Sequence, residues 1–429
     1  MSDAKRGLVR NIFSVFSTRI FVLSIGLISA VLIARGLGAE GRGIYAALLV
    51  YPALLVTLTE GGMRQAAIFY IGKKKASDAE IIGTLLSYTI LAGSIGYLMV
   101  YWLQRTFGPD AFTNIMMLAA AAILPATLAV NAIKGVFLGK ERIKQFNKAH
   151  WVQKILFVAA IALLYVSNTL TVSTVMFATV GAAIFNLVQA LYFLKKHETL
   201  SFTFSAKTFF PMFRLGVVYA LAFFFITANY RIDLLIMSWM AEPDEVGRYA
   251  IAVQLGELLW QLPGAVLLVI MSKTANSIDN SIVLTVAKTT RLTLLITAFS
   301  ALPFAFACYF LIGPVFGEEF ASSFFIILYL LPGLVLAAVF KTINSYFSGQ
   351  GQPLVTVYLM GTIACLNIIL NILLIPVYGG TGAAISTTIS YAIAALGCCI
   401  LMSYREGVSV RSLIIPYTSD FKIGNKKKS

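Results

Sequence analysis

Eight ionisable residues stand where a chain built of long apolar runs should carry none: Arg19, Glu60, Arg64, Lys134, Arg231, Asp233, Glu257 and Lys341. A charge in the middle of a hydrocarbon layer costs at least ~2.5 kcal/mol even on lenient insertion scales, so each such residue marks a pathway or a partner. The five cations suit an anion whose charge is concentrated in one place, since ammonium and guanidinium groups are the usual phosphate binders. The three acids suit a coupling ion, H+ or Na+, because a carboxylate in a low-dielectric cavity can take up and release a proton. Glu257 is the leading candidate for that role, and an ion pair with Arg231 across the adjacent span is its alternative. Plainer explanations exist for several of the others. Glu60 and Arg64 are four apart and can pair along one helix face. Lys134 and Lys341 can snorkel to the headgroups. Arg231 and Asp233, two apart, diverge on a helix, so each needs its own partner.

The elements that must hold these residues are membrane helices. The 429 residues are 59% hydrophobic and 12% charged, with a mean hydropathy of +0.86, so few groups could hydrate a globule of this size. Twelve apolar runs match the ~30 Å hydrocarbon thickness at ~1.5 Å per helical residue. The first six cover residues 11–34, 43–71, 81–103, 113–138, 151–166 and 171–193; the second six cover 211–240, 247–271, 292–311, 321–347, 354–377 and 382–402. They are far longer than the ~10 residues of a barrel strand and show no period of two, so the expected fold class is all-α and polytopic. The first run is too long for the apolar core of a signal peptide and is expected to remain as a helix.

The two sets of six repeat one design. Gly43-Ile44-Tyr45-Ala46 returns as Gly247-Arg248-Tyr249-Ala250, 204 residues on. Leu124-Pro125, with Lys134 nine residues after the proline, returns as Leu331-Pro332 with Lys341, 207 residues on. Phe137-Leu138-Gly139 returns as Phe347-Ser348-Gly349 at an offset of 210. Ordered matches with a slow drift indicate duplication. Even-numbered halves repeat in parallel, which predicts two six-helix bundles, 1–196 and 211–403, related by a pseudo-twofold along the membrane normal. A linker, 197–210, joins them, and a basic tail, 404–429, follows. Between the bundles a cleft is expected, opened to alternate sides by rocking.

Charge gives the orientation. Lys5, Arg6 and Arg10, Lys73 to Lys75, Lys140, Arg142, Lys144 and Lys148, and Lys195 and Lys196 all fall on one side. The opposite loops carry Arg35, Arg42, Arg105 and Arg248 against seven acids: Glu40, Asp110, Glu242, Asp244, Glu245, Glu318 and Glu319. The positive-inside rule then puts both termini in the cytoplasm. On that orientation Arg19, Arg64, Lys134 and Lys341 lie in the cytoplasmic half, about 8 to 13 Å in from the nearest span end, whereas Arg231, Asp233 and Glu257 lie about 13 to 15 Å from the outer face. Because Lys134 and Lys341 occupy equivalent positions in the duplication, the four inner cations are expected to form one basin. A lipid pyrophosphate presented from the inner leaflet fits it. The tail, ending Lys426-Lys427-Lys428-Ser429, reads either as an anchor to anionic membrane lipids or as a solubilising segment.

Other chemistries find no support. The net charge of +15 is spread over span ends rather than gathered in one arm, so nucleic acid is not the expected partner. The only histidines are His150 and His197, and neither metal-ligand spacing nor a phosphate-cradling glycine loop is present, so no catalytic or metal site is expected and the chain reads as a non-enzyme. The four cysteines, all inside spans, read as small packing residues. Prolines 52, 125, 263 and 332 fall within spans, as hinges or as packing features.

The run Ile33-Ala34-Arg35-Gly36-Leu37-Gly38-Ala39-Glu40-Gly41-Arg42-Gly43-Ile44-Tyr45-Ala46 resembles the first loop of Wzx-type polysaccharide flippases, of the multidrug/oligosaccharidyl-lipid/polysaccharide superfamily. Asn229-Tyr230-Arg231-Ile232-Asp233-Leu234-Leu235-Ile236 is similar to the R-I-D-x-L-I run of their seventh span. The resemblance implies a flippase of the bacterial inner membrane. Its cargo would be an undecaprenyl-pyrophosphate-linked glycan, such as an O-antigen repeat unit, and its partners a polysaccharide polymerase and glycosyltransferases. Arg231 and Asp233 are the positions that the matching motif carries over. Lipid II flippases of the same superfamily usually have two additional spans, and multidrug exporters carry organic cations, which a cationic cavity opposes. A scaffold for glycan-assembly enzymes is the alternative without transport.

Overall fold

The computed structural model describes residues 3–198, 202–260, 281–350 and 352–421, with side chains from residue 23 onward except at 149–150, 281, 348–349, 353, 356, 419 and 421. Among them there is no strand. The helices are α1 (Asp3–Thr59), α2 (Met63–Gly72), α3 (Asp78–Phe107), α4 (Asn114–Gly139), α5 (Ile143–Val166), α6 (Val172–His197), α7 (Ala206–Met240), α8 (Pro243–Leu259), α9 (Ser281–Phe316), α10 (Ser323–Gly349), α11 (Pro353–Glu406) and α12 (Val410–Ile414). Nine among the described residues are long and apolar enough to cross a membrane. Two of these hold two spans each. The 57 residues of α1 and the 54 of α11 would run to more than twice the hydrocarbon thickness if straight. Both break instead at a glycine with positive φ, Gly38 (φ 67°) and Gly379 (φ 53°), where a side chain would be strained. The eighth expected span opens as α8 and continues into 261–280, which holds Pro263 and lies outside the described residues.

Helix starts follow the local sequence. Ser77, Thr113 and Ser205 each accept the backbone N–H three residues on, and Thr171 and Thr174 form a reciprocal capping box. Large apolar side chains point outward along the spans, as Ile90, Leu91, Ile95, Leu98 and Trp102 do on α3. The inward residues are often smaller, among them Ala119, Ala120 and Ala121 of α4. The surrounding solvent is lipid, so close packing rather than apolarity distinguishes inside from outside.

The chain forms two compact units. The first is Met1–Ala250 with Val315–Glu319; the second is Ile251–Pro314 with Phe320–Ser429. Packing thus divides the chain after Ala250, whereas the span count divides it in the 197–210 linker. Local contacts explain why α7 joins the first unit. Glu80 of α3 accepts from Ser205 Oγ at 2.6 Å and from Thr208, Ser87 donates to the Phe202 carbonyl at 2.8 Å, and the linker end is thereby tied to α3. Farther along, Gly216 of α7 lies backbone to backbone against Gly61 and Gly62, the left-handed pair that separates α1 from α2.

The repeated glycines also meet. A Cβ added to Gly43 would overlap the Pro243 carbonyl, and one added to Gly247 would overlap the Ala39 carbonyl. Residues 39 and 243 stand in the same 204-residue relation as 43 and 247, so the two copies of the motif cross on their own pseudo-twofold.

In the second unit α10 packs on α11, and Thr388 donates to the Tyr329 carbonyl at 2.5 Å. A buried polar ladder, Asn371 to Asn367 at 2.9 Å and Asn367 to Ser390 at 3.2 Å, joins the two arms of α11. The expected basic tail is different in its first part. Residues 410–421 fold back, and Asp420 takes a bidentate grip from Arg291 of α9 at 2.6 and 2.7 Å. Arg291 also donates to the Ser412 carbonyl and lies over the Tyr417 ring. Lys426 to Lys428 lie outside the described residues. The hydrogen bonds from Arg291 hold the Asp420 carboxyl well below its ordinary value, down to about 2. The folded value being the lower one, the clasp's stabilisation is full above the ordinary carboxylate range and is lost as pH falls through about 2. At neutral pH, Asp420→Ala leaves a buried guanidinium without its counter-charge. That is expected to cost roughly 3 kcal/mol, seen as a lower melting temperature of the solubilised protein, and an unchanged melt would remove the clasp from the stability of α9.

Candidate functional site

The first unit places an ionic cluster at the break between α1 and α2. Glu60 follows the last residue of α1, and the turn through Gly61 and Gly62 sends α2 off with Arg64 in its first turn. Arg64 Nε meets Glu60 Oε1 at 2.8 Å, so the pairing open to these two residues is made. The other Glu60 oxygen accepts from Asn131 Nδ2 of α4 at 3.3 Å. Lys134 is three residues beyond Asn131 and shares its face of α4. Gly135 lets α4 lie close on α2: a Cβ there would be 2.9 Å from Arg64 Cγ and 3.1 Å from its carbonyl oxygen. Lys134 and Glu60 are each 8% exposed. Among the charges acting on Lys134 are those of Arg64 and of Lys154 on α5, both positive. Arg64 is held by Glu60, and Lys134 lies within electrostatic reach of both Arg64 and the exposed Lys154, a grouping of like charges whose repulsion an anion would relieve.

A second polar group lies toward the other end of the unit. Asp233 is buried, accepts from the Tyr249 hydroxyl, and takes the Leu234 N–H at 2.7 Å. Tyr249 is the tyrosine of the second Gly-x-Tyr-Ala. Its counterpart Tyr45 pairs with Thr179 at 3.1 Å and lies under the Arg42 guanidinium at 5.6 Å. Half-buried Arg231 is within electrostatic reach of Arg42. Each repeated tyrosine thus anchors a polar group beside the glycine crossing.

The second unit holds Glu257 and Lys341. Lys341 Nζ lies 3.2 Å from the centroid of the Trp260 ring, a cation–π contact that shields its charge. The Trp260 indole is fixed by its N–H on the Leu334 carbonyl at 3.1 Å and by Tyr391, with ring centroids 5.7 Å apart. Glu257, one turn before Trp260 on α8, is half-buried. Arg19 is a residue of α1 whose side chain lies outside the described residues.

Of the eight predicted residues, Glu60, Arg64 and Lys134 come together, while Arg231 and Asp233 occupy the other end of the same unit with separate surroundings. Asn131, Lys154, Arg42 and Tyr249 were not singled out from the sequence. Lys154 was missed because it stood at the edge of the expected span at 151, whereas α5 begins at Ile143 and carries this lysine in its interior. Tyr249 belongs to the repeated motif, but a tyrosine inside an apolar run carries no cost that draws notice.

The comparisons with known proteins follow the same lines. A curated relative from Haloferax volcanii, a probable low-salt glycan biosynthesis flippase, is 23% identical over 400 residues, covering 90% of this chain and 81% of its own. Among solved structures, the lipid II flippase MurJ in an inward closed conformation matches with a TM-score of 0.74 at 17% identity, covering 93% of this chain and 89% of its own. An inward-facing multidrug resistance MATE transporter matches at 0.72 and 14% identity, covering 89% and 94%. These two likenesses show the fold. Residues 8–263, more than half of the sequence, match the family described as polysaccharide biosynthesis protein, and the chain belongs to that family.

Proposed function

We propose that this protein is a transporter, not an enzyme, that moves a polyprenyl-pyrophosphate-linked oligosaccharide from the cytoplasmic to the outer leaflet of a bacterial inner membrane. The observation that carries the proposal is the grouping of three cations, Lys134 within electrostatic reach of Arg64 and Lys154, beside the Glu60 carboxylate that pairs with Arg64. Like charges held close together repel, and a site that gathers them is built for a ligand of opposite sign. A pyrophosphate carries its charge in a compact head, which guanidinium and ammonium donors match. The family membership and the Haloferax relative support a glycan on that head. The polyprenyl tail would stay in lipid.

Alternating access is the proposed cycle, with both termini in the cytoplasm. An H+ or Na+ gradient, the membrane potential, or removal of the cargo outside would drive it. A polymerase and glycosyltransferases would supply and consume the cargo. An organic-cation exporter is less favoured, because Glu60 and Asp233 are each already held by donors from the protein and the cluster's excess charge repels cations. Reconstitution in vesicles decides between the two. A fluorescent polyprenyl-pyrophosphate oligosaccharide placed in one leaflet is expected to cross at least tenfold faster with the protein than without it. Transport of ethidium with no acceleration of the glycolipid would overturn the proposal.

A further inference from the structure

The duplication contains a further matched element, at the far end of the first unit from the ionic cluster. Phe107-Gly108-Pro109-Asp110, after α3, corresponds to Phe316-Gly317-Glu318-Glu319, after α9. The two turns end in an acid, and the acids meet different backbone. Glu319 accepts the N–H of Ala39 at 2.8 Å and so caps the chain where α1 breaks at Gly38. The position equivalent to Ala39 in the other copy is 243, a proline, which has no N–H to give. There, instead of a filled contact, the first unit has a cavity of about 580 Å³, lined by Asp110 and Pro243 together with Phe107, Phe112, Ser238 and Trp239.

That volume falls in the range of small-molecule sites, roughly 300–1,000 Å³. Its aromatic wall is held in place. Trp239 Nε1 donates to the Tyr51 hydroxyl at 2.8 Å, Tyr51 donates to the Phe107 carbonyl at 3.3 Å, and the Trp239 and Phe107 rings lie 6.3 Å apart. Trp239 remains 49% exposed, so its indole is fixed at the edge and open elsewhere. Among the lining residues there is no lysine, arginine or histidine, while Asp110 is negative. A phosphate, whether from cargo or from a lipid headgroup, is therefore repelled.

We propose that this cavity binds a neutral sugar of the transported glycan on the outer side. It rests on the glycolipid reading given above. A pyranose has an apolar C–H face that stacks on an aromatic ring, whose face carries partial negative charge. Its hydroxyls donate to a carboxylate, which accepts through two oxygens, and to the lone pairs of Ser238, whose own hydrogen is committed to the Leu235 carbonyl at 2.7 Å. One copy of the repeat thus uses its acid to close the fold, and the other, deprived of its partner by Pro243, offers its acid to the cargo.

The test uses the full chain in nanodiscs, with Trp102, Trp151 and Trp260 replaced by Phe so that Trp239 is the only indole. A panel of neutral hexose and N-acetylhexosamine trisaccharides is titrated against its emission. At least one is expected to shift it saturably at millimolar concentration, with Asp110→Asn, in an exposed turn, weakening the effect about tenfold. No saturable shift with any sugar, or a shift with tetraphenylphosphonium alone, overturns the proposal. The vesicle assay separates this from the wider reading. Glycolipid translocation without any sugar response at Trp239 sinks the cavity alone, whereas a sugar response without translocation sinks the flippase reading and leaves the cavity a sugar site.

Discussion

Gly43→Val is expected to reduce export at least tenfold while the protein still reaches the membrane. Gly43 and Gly247 cross with nothing but backbone between them, and the atoms that a side chain would strike belong to the Pro243 carbonyl. Backbone has no rotamer to swing aside, so α1 and α8 must separate locally. Ordinary overpacking costs about 1–3 kcal/mol, and an overlap with backbone lies at or above the top of that range. The alternating access proposed above would have this crossing close and open in each turnover, and a variant that cannot close it is then expected to stall the cycle without unfolding the bundles. The readout follows from neighbouring Ala47, which is 3% exposed. In a background without the four native cysteines, Ala47→Cys should react with a membrane-impermeant maleimide when Gly43 is valine and resist it when Gly43 is intact. Gly72→Ala serves as the control, since nothing lies within 4 Å of a Cβ there. Normal export by Gly43→Val, with Ala47→Cys still protected, would show that the crossing tolerates a side chain and plays no part in transport.

Much of the architecture was legible because its signal is physical at the level of whole segments. A run of apolar residues long enough to span hydrocarbon has few alternatives, and a displaced copy such as Gly43 and Gly247 implies a symmetry element. The crossing of these glycines is that element at atomic scale. The ionic cluster was legible in part. Glu60, Arg64 and Lys134 were conspicuous as charges within apolar runs, but their grouping depends on Gly135 bringing α4 onto α2, and no spacing within one helix announces that. Lys154 and Arg291 were lost to span edges drawn by hydropathy, which stops at a charge even where the helix continues. The clasp on Asp420 was illegible for another reason. A short polar segment after the last span has the composition of a loose tail, and only the position of a buried arginine 129 residues earlier gives it a place to fold. The cavity near Asp110 depends on what proline lacks, and a missing N–H leaves no pattern in a sequence.

Exchanging Lys134 and Lys154 for glutamine together should weaken binding of inorganic pyrophosphate to the solubilised protein by about 100-fold or more. Hydrogen bonds to charged groups contribute about 1.5–3 kcal/mol each, and two lost contacts amount to two or more factors of ten. Folding should survive, because the exchange removes charges that repel one another and leaves Glu60 its contacts with Arg64 and Asn131. The opposite exchange discriminates between a binding site and a structural ion pair. Glu60→Gln takes away the carboxylate paired with Arg64 and releases Arg64 from it, so pyrophosphate should bind about tenfold more tightly, a gain of roughly 1.4 kcal/mol. Translocation should nevertheless slow, because an anion held more tightly in the starting state has more to lose on moving outward. If the cluster were only a scaffold for the α1–α2 break, Glu60→Gln would lower the melting temperature and leave anion binding as it was. Isothermal titration with pyrophosphate, repeated at two salt concentrations, tells these outcomes apart. Opposite signs for the two exchanges are what a cargo site requires, and a loss of affinity in both would mean that Glu60 supports the site's shape rather than competing for its cations.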